Sequence, residues 1–247
     1  SVFNNVRSGD YDAVKDTPRP GHADFVLARK FNGFNDHRGG GHSSGRLTVA
    51  MVAAGVVAKK ILTGVSVAAT LTEAGGLADI EAAIQKAIDN NDSLGGIVSC
   101  TVNGLPIGLG EPFFNSAESV ISHIIFSIPA IKGIEFGSGF AAARMTGSQH
   151  NDAFIDEVGT TKTNHAGGIN GGITNGNELH FRVAVKPTSS TPREQQTWNK
   201  AANTIAPFTV KGRHDLCIAL RVPVVVEAAT AIALADLLLL HRATRIV

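Results

Sequence analysis

Residues 222–240, VPVVVEAATAIALADLLLL, form an apolar run that is almost long enough to cross a bilayer. Glu227 and Asp236 lie inside it, and each would cost about 2.5–3.5 kcal/mol at the centre of a membrane. Pro223 suits the first turn of a helix. We therefore predict a helix over residues 224–243 that packs inside a soluble protein, with no membrane partner.

Helix-like and strand-like segments alternate through the rest of the chain. The predicted helices cover residues 46–62, 80–90, 116–127 and 224–243, and the predicted strands cover residues 65–72, 97–102, 131–136 and 179–185. Asp79 and Asn115 stand before two of the helices as N-cap candidates. Residues 1–45, 137–178 and 186–204 are polar, show little periodicity and are predicted to be loops.

The strand pattern decides the fold class. Leu179, Phe181 and Val183 alternate with more polar neighbours, which is typical of a half-buried strand. Strands of a doubly wound parallel sheet are instead continuous apolar runs. We predict an α+β layered fold with mainly antiparallel sheets and buried helices.

The composition limits the possible partners and the cellular compartment. The 247 residues carry a net charge of +1, 43% are hydrophobic and 6% are aromatic, so neither bulk charge nor base stacking favours nucleic acid. Cys100 and Cys217 show no metal-site or disulfide spacing, which favours a reducing, cytoplasmic setting. The first residues lack the features of a signal peptide, and without a Met at position 1 we expect a fragment or a processed form.

Five polar clusters combine cationic, imidazole or hydroxyl side chains with Gly or Pro. They lie at residues 18–24, 38–46, 164–172, 186–190 and 212–215. In the second cluster, RGGGHSSGR, three glycines and two serines precede a helix-like segment, an arrangement that suits an anion. The histidines lack the spacing of a two-His metal site, and no Walker loop, nucleophile elbow or dinucleotide fingerprint is present.

Together these clusters resemble chorismate synthase over most of the chain. The matching motifs are RPGHADF (19–25), RGGGHSSGRLT (38–48), VAAGVVAKKIL (52–62), GLGEPFF (108–114), SIPAIKGIEFG (127–137), NHAGGINGGITNG (164–176), VAVKPTSS (183–190), GRHD (212–215) and VPVVVEAATAIALADLLL (222–239). The resemblance implies one domain over residues 1–247 with the βαβ-sandwich fold of that family, without its N-terminal segment.

The resemblance also implies an activity. Members of the family convert 5-enolpyruvylshikimate 3-phosphate to chorismate and phosphate by an anti-1,4-elimination that needs reduced FMN, in the shikimate pathway of aromatic amino-acid biosynthesis. They are cytoplasmic homotetramers. Some members reduce their own flavin with NAD(P)H, but the absence of a dinucleotide fingerprint favours the type that does not.

The resemblance assigns roles to individual residues. His22, Ser43 and Asp215 match catalytic positions: His22 is implied to lie against the flavin ring, and Asp215 to take a proton from flavin N5. The implied substrate contacts are Arg38, Arg46 and Arg213. The implied FMN contacts are His42, Ser43, Ser44, Pro129, Ala130, Gly171, Lys186, Pro187, Thr188, Ser189, Ser190 and Arg213.

Each of these positions also has a purely structural interpretation. His22 could be a loop histidine bonded to Asp24, Ser43 or Ser44 could be a helix N-cap, and Asp215 could pair with Arg213 or His214. Residues 186–190 could be a turn at the end of a strand, and residues 129, 130 and 171 could lie in simple turns.

The chain departs from the family pattern at His42, at Leu216, which replaces the usual Pro after GRHD, and in lacking an N-terminal motif, and only the last departure leaves alternatives open. His42 stands where many members carry Arg, so a titratable charge replaces a fixed one. The Phe-Gly-Glu-Ser-His-Gly motif, whose His is implied to protonate the leaving phosphate, is absent from the 247 residues. The leading hypothesis is a chorismate synthase without its N-terminal part. The alternatives are a non-catalytic flavin- or phosphate-binding remnant and a fragment that folds only with a partner chain.

Overall fold

The computed structural model describes residues 12–210 and 215–244. Seven α-helices and eight strands lie in these ranges. The helices are α1 (Asp12–Asp16), α2 (Asp24–Lys30), α3 (Thr48–Ile61), α4 (Ile80–Asp89), α5 (Ala117–Ile125), α6 (Gly147–His150) and α7 (Val222–Thr244). The strands are β1 (Ser66–Ala74), β2 (Gly96–Asn103), β3 (Ile131–Phe136), β4 (Ile169–Asn170), β5 (Ile173–Thr174), β6 (Leu179–Val185), β7 (Gln195–Asn199) and β8 (Thr204–Phe208).

A four-stranded antiparallel sheet forms the centre of the fold. Its order is β1-β2-β6-β3, and β4-β5 and β7-β8 form two separate hairpins. In the sheet, Cys100 of β2 lies between Ala69 of β1 and Phe181 of β6. Leu179, Phe181 and Val183 are fully buried, as their alternation with polar neighbours predicts. The predicted α+β fold with antiparallel sheets is therefore confirmed.

Helix α7 is the core helix. It packs against α3, α5 and β1. In its most apolar stretch of 18 residues, 67% is buried inside the protein. Glu227 accepts hydrogen bonds from Lys59 Nζ at 2.6 Å and from the Ala69 N–H at 3.1 Å, while Asp236 is exposed. The hydrogen bonds of Glu227 and the burial of most of the helix support the predicted core helix.

The contact between α3 and α7 depends on the absence of a side chain at Gly55. A Cβ added there would lie 2.5 Å from the Cβ of Ala228 and 2.6 Å from its Cα. We expect Gly55→Ala to lower the free energy of unfolding by about 1–3 kcal/mol, because two helix backbones would have to separate. Urea unfolding measures the change.

Gly147→Ala is the matched control for this substitution. Gly147 is also helical, but nothing lies within 4 Å of the position of its Cβ. The control should keep the stability of the wild type or gain a few tenths of a kcal/mol, because Ala has the higher helix propensity. Equal stabilities of the two variants would show that α3 and α7 are not in contact at Gly55.

The helix caps and the loops show where local patterns succeed and where they fail. Asp79 caps α4 by accepting the Ala82 N–H, as predicted. The cap of α5 is Ser116, which accepts the Ser119 N–H, so the prediction of Asn115 was wrong by one residue. The segments predicted as loops contain α1, α2, α6, β4, β5 and β7, because elements of two to seven residues show too little periodicity to be detected.

Candidate active site

The segment between α1 and α2 folds back on itself around His22. The His22 N–H donates to the carbonyl oxygen of Arg19 at 3.3 Å, and Gly21 supports the turn with a φ of +67°. Asp24 then opens α2. This turn places the side chains of Arg19, His22 and Asp24 against one another.

A buried ion pair organises these side chains. Arg19 donates through Nε to Asp24 Oδ2 at 2.8 Å and through Nη2 to Oδ1 at 2.9 Å, and the two side chains are 7% and 8% exposed. His22 Nδ1 lies 2.6 Å from Asp24 Oδ1. Burial alone would raise the pKa of Asp24, but hydrogen bonds from Arg19 and His22 outweigh it and hold that pKa well below its usual range.

The loop after β6 closes on the same turn. Lys186 Nζ donates to the Gly21 carbonyl oxygen at 2.9 Å and to Ser189 Oγ at 2.6 Å. Ser189 Oγ donates to the same carbonyl at 2.8 Å, and Ser190 Oγ accepts from Arg19 Nη1 at 3.0 Å. Residues about 170 positions apart in the chain thus form one polar cluster, as expected if both belong to one site.

The triple-glycine segment borders the His22 ring. A Cβ added to Gly40 would lie 3.6 Å from His22 Cε1 and Nε2 and 3.8 Å from the Cβ of Ser44. Gly40 has a φ of +81°, which favours glycine. The segment forms a 3₁₀ helix over Arg38–Ser43. The segment that was predicted to suit an anion therefore lies beside the His22 ring.

The polar side chains of this segment differ in their surroundings. Ser44 Oγ accepts the Arg46 N–H at 3.3 Å and caps the short 3₁₀ helix Gly45–Leu47, so the cap interpretation holds for Ser44. Ser43 is half-buried, while His42 and Arg46 are exposed. The side chain of Arg38 lies outside the described residues.

Ala130, which follows Pro129, joins the cluster through the backbone. The Ala130 carbonyl oxygen accepts the Lys186 N–H at 2.9 Å. Ala130 has a φ of +77°, in the left-handed region that residues with a side chain rarely adopt. The turn before β3 therefore holds the start of the Lys186 loop, in agreement with the predicted neighbourhood of residues 129, 130 and 186.

Gly171 does not join this cluster within the single chain. It lies in the β4-β5 turn, where the neighbouring Gly172 accepts the Ala117 N–H at the start of α5. The same hairpin adjoins the start of β6 through Gly168, whereas Lys186 follows the end of that strand. Gly171 is therefore near the start of β6, and the Lys186 loop follows its end.

Asp215 approaches the cluster indirectly. Its exposed carboxylate pairs with Arg221 Nη2 at 2.8 Å. The following residue, Leu216, accepts the Leu94 N–H at 2.7 Å, and Ser93 Oγ donates to the Thr188 carbonyl oxygen at 2.7 Å. One short turn thus connects the Asp215 segment to the Lys186 loop. Arg213 and His214 lie outside the described residues.

The predicted list of site residues did not include Arg19 and Asp24, although the alternative of a His22–Asp24 bond was considered and is present in the structure. Both stand in the RPGHAD motif, but their role as partners of His22 depends on the turn that brings them together. The spacing Arg-x-x-His-x-Asp in a polar loop was the available signal. Ser93, which supports the loop at Thr188, had no signal in the sequence.

Comparison with known proteins identifies the family. The family model for chorismate synthase matches residues 2–239. A chorismate synthase of Chitinophaga pinensis is 66% identical over 240 residues, which cover 97% of this chain and 72% of that protein. A chorismate synthase of Korarchaeum cryptofilum is 44% identical over 94% of this chain and 73% of its own length.

A solved structure agrees with the sequence relatives. A crystal structure of chorismate synthase superposes with a TM-score of 0.71 and 28% sequence identity, and the match covers 88% of this chain and 70% of that one. The chain therefore belongs to the chorismate synthase family, and it is a lyase that forms chorismate in the shikimate pathway.

Proposed function

We propose that this chorismate synthase binds reduced FMN and 5-enolpyruvylshikimate 3-phosphate where the His22 turn, the triple-glycine segment and the Lys186 loop meet. The observation that carries the proposal is the convergence of these three segments on Gly21 and His22. They come from distant parts of the chain and offer cations, hydroxyls and an imidazole to a single place.

The Lys186 loop suits the phosphate group of FMN. Thr188 Oγ1 is buried and has no hydrogen-bond partner among residues 12–210 and 215–244, so it is available to donate to a ligand oxygen. Burial, followed by repulsion from Lys132, lowers the pKa of Lys186. A bound phosphate would offset the repulsion between the two lysines and accept a hydrogen bond from the Thr188 hydroxyl. Ser189 Oγ already accepts a hydrogen bond from the Lys186 ammonium and lies at the same place.

His22 is the proposed acid-base group of the described site. Its Nε2 edge faces the Gly40 backbone, where an added Cβ would lie 3.6 Å from Nε2. The chemistry that bound reduced FMN would supply here is transient electron density for the elimination. The role of His22 is to accept a proton at Nε2 beside that ligand and to return it.

The remaining predicted residues surround this centre. His42 and Arg46 are exposed on the triple-glycine segment and suit the carboxylates of the substrate. Asp215 needs to leave its surface pair with Arg221 to act as a base. Ser43, Arg38, Gly171 and Arg213 keep their proposed roles as contacts of the flavin or of the substrate.

The proposed assembly is a cytoplasmic homotetramer. Several large apolar side chains are strongly exposed in the single chain, among them Phe34 (93%), Phe113 (88%) and Phe114 (93%). Exposed apolar surface of this extent favours burial against further protein, which supports self-association.

Lys186→Met tests the proposed phosphate site. We expect the dissociation constant of FMN to rise about 10- to 100-fold, because a charge-assisted hydrogen bond contributes about 1.5–3 kcal/mol. Flavin fluorescence under anaerobic conditions measures binding, and release of phosphate from the enolpyruvyl substrate measures turnover.

Lys162→Met is the matched control, since Lys162 is an exposed lysine in the segment that precedes β4. Its FMN affinity should stay within about twofold of the wild type. An unchanged affinity in Lys186→Met would contradict the placement of the FMN phosphate at this loop.

A further inference from the structure

We propose that Asp24, held in place by Arg19, is a positioning residue that keeps the neutral His22 ring protonated at Nδ1 and leaves Nε2 as a hydrogen-bond acceptor toward Gly40. The inference rests on the proposed function in one respect, namely that the His22 ring acts on a bound ligand. Its geometric part concerns the tautomer of His22 and is independent of turnover.

The hydrogen-bonding groups around Nδ1 determine where the proton lies. Asp24 Oδ1 is 2.6 Å from Nδ1, and Arg19 Nη2 is 3.1 Å from the same nitrogen. A ring nitrogen cannot accept from Arg19 and donate to Asp24 at once. An ionised carboxylate is an acceptor only, and charge-assisted bonds are the shorter and stronger ones. Arg19 Nη2 already has Oδ1 as its acceptor at 2.9 Å, so the proton belongs on Nδ1.

Asp24 stays ionised and stays in place. Arg19 contacts it with Nε, Nη2 and its backbone N–H, at 2.8, 2.9 and 3.2 Å. The hydrogen bonds that hold its pKa well below the usual range keep it an acceptor at neutral pH. The guanidinium is in turn fixed through Nη1 to Ser190 Oγ at 3.0 Å. The ring orientation of His22 is thereby tied to the loop that begins at Lys186.

The opposite edge of the ring then has a defined chemistry. With Nδ1 protonated, Nε2 of the neutral ring carries a lone pair. That edge lies against Gly40, where an added Cβ would come within 3.6 Å of Nε2. In its neutral state the ring therefore presents an acceptor at Nε2 to whatever binds beside the triple-glycine segment.

Asp24→Asn should reverse this arrangement. Two Arg19 donors, Nε and the backbone N–H, point at Oδ2, but a single Arg19 donor points at Oδ1. The amide oxygen of Asn will therefore take the Oδ2 position, and the amide nitrogen will face His22. It then donates to Nδ1, which forces the proton of the neutral ring onto Nε2.

Nitrogen-15 NMR of the protein labelled at histidine measures the tautomer directly. We expect the neutral His22 ring to be protonated mainly at Nδ1 in the wild type and mainly at Nε2 in Asp24→Asn. Asp16→Asn is the control, since Asp16 is exposed in α1, close to the same turn, and it should leave the wild-type tautomer. An Nε2-protonated ring in the wild type would overturn the proposal, even if Asp24→Asn did not fold.

Kinetics of the full-length gene product separate the inference from the proposed function. With the tautomer reversed, we expect kcat to fall about 100-fold or more and KM to change little, because proton transfer needs the correct nitrogen. An unchanged tautomer in Asp24→Asn would overturn the positioning role of Asp24. A reversed tautomer with an unchanged kcat would instead overturn the role of His22 in the reaction.

Discussion

Arg19→Met is expected to lower the free energy of unfolding by about 3–5 kcal/mol, the usual cost when one partner of a buried ion pair is removed. The substitution leaves the Asp24 carboxylate, which is 8% exposed, without the guanidinium that balances its negative charge. Methionine keeps much of the apolar volume, so the loss is mainly electrostatic. It also removes the hydrogen bond from Arg19 Nη1 to Ser190 Oγ.

The pH dependence distinguishes this electrostatic loss from a packing defect. In the wild type, the lowered pKa of Asp24 contributes stability that is complete above the unfolded pKa, about 4, and is lost as the pH falls below it. Without Arg19, burial raises the pKa of Asp24. Acid then protonates the buried carboxylate and reduces the destabilisation of the variant. The difference in stability between wild type and variant should therefore narrow from pH 7 to pH 4.

Urea unfolding at both pH values measures the effect. Arg29→Met is the control, because Arg29 is exposed on α2 and lies over the Phe25 ring, and its loss should cost less than about 1 kcal/mol. A loss below 1 kcal/mol in Arg19→Met, or a difference that widens in acid, would contradict the buried ion pair.

His22→Gln is expected to lower kcat by about 100- to 10,000-fold, the usual contribution of a positioned acid-base group. Glutamine can still donate an amide hydrogen to Asp24, so the turn and the Arg19 pair should survive. It has no ring nitrogen at the Nε2 position beside Gly40. The affinity for FMN should change only a few-fold, because the Lys186 loop that is proposed to hold its phosphate is untouched.

Anaerobic turnover with reduced FMN measures kcat, and flavin fluorescence measures binding. His123→Gln is the control, since His123 is exposed in the last turn of α5, and it should keep the wild-type kcat. A kcat within tenfold of wild type in His22→Gln would exclude His22 as the acid-base group, whatever the outcome for the flavin.

Most of the central fold could be predicted from the sequence. The strands over residues 131–136 and 179–185 and the helix around Pro223 were confirmed at or near their boundaries. These elements carry apolar residues at a regular period, and the sheet and helix layers bury that pattern. The short hairpins β4-β5 and β7-β8 could not be predicted, because strands of two to five residues depend on contacts with other segments.

The sequence indicated which polar motifs belong to a functional site, but it did not indicate which of them lie next to one another. Gly40 and Lys186 approach the His22 turn, as the family resemblance implies. The resemblance implies an FMN contact for Gly171 as well, yet Gly171 lies near the other end of β6. No local pattern separates these cases, because the distance between two loops depends on strand length and on the strand order of the sheet.

The sequence by itself determined the residue types of the site, the antiparallel sheet and the buried helix α7, since each depends on local chemistry or periodicity. Only the tertiary structure decided that Arg19 joins Asp24 to Ser190, 171 positions from Arg19 in the chain, and that His22 turns Nδ1 inward and Nε2 toward Gly40. The reason is physical: a histidine ring has two distinct nitrogens, and packing at a buried ion pair determines which of them is left for chemistry.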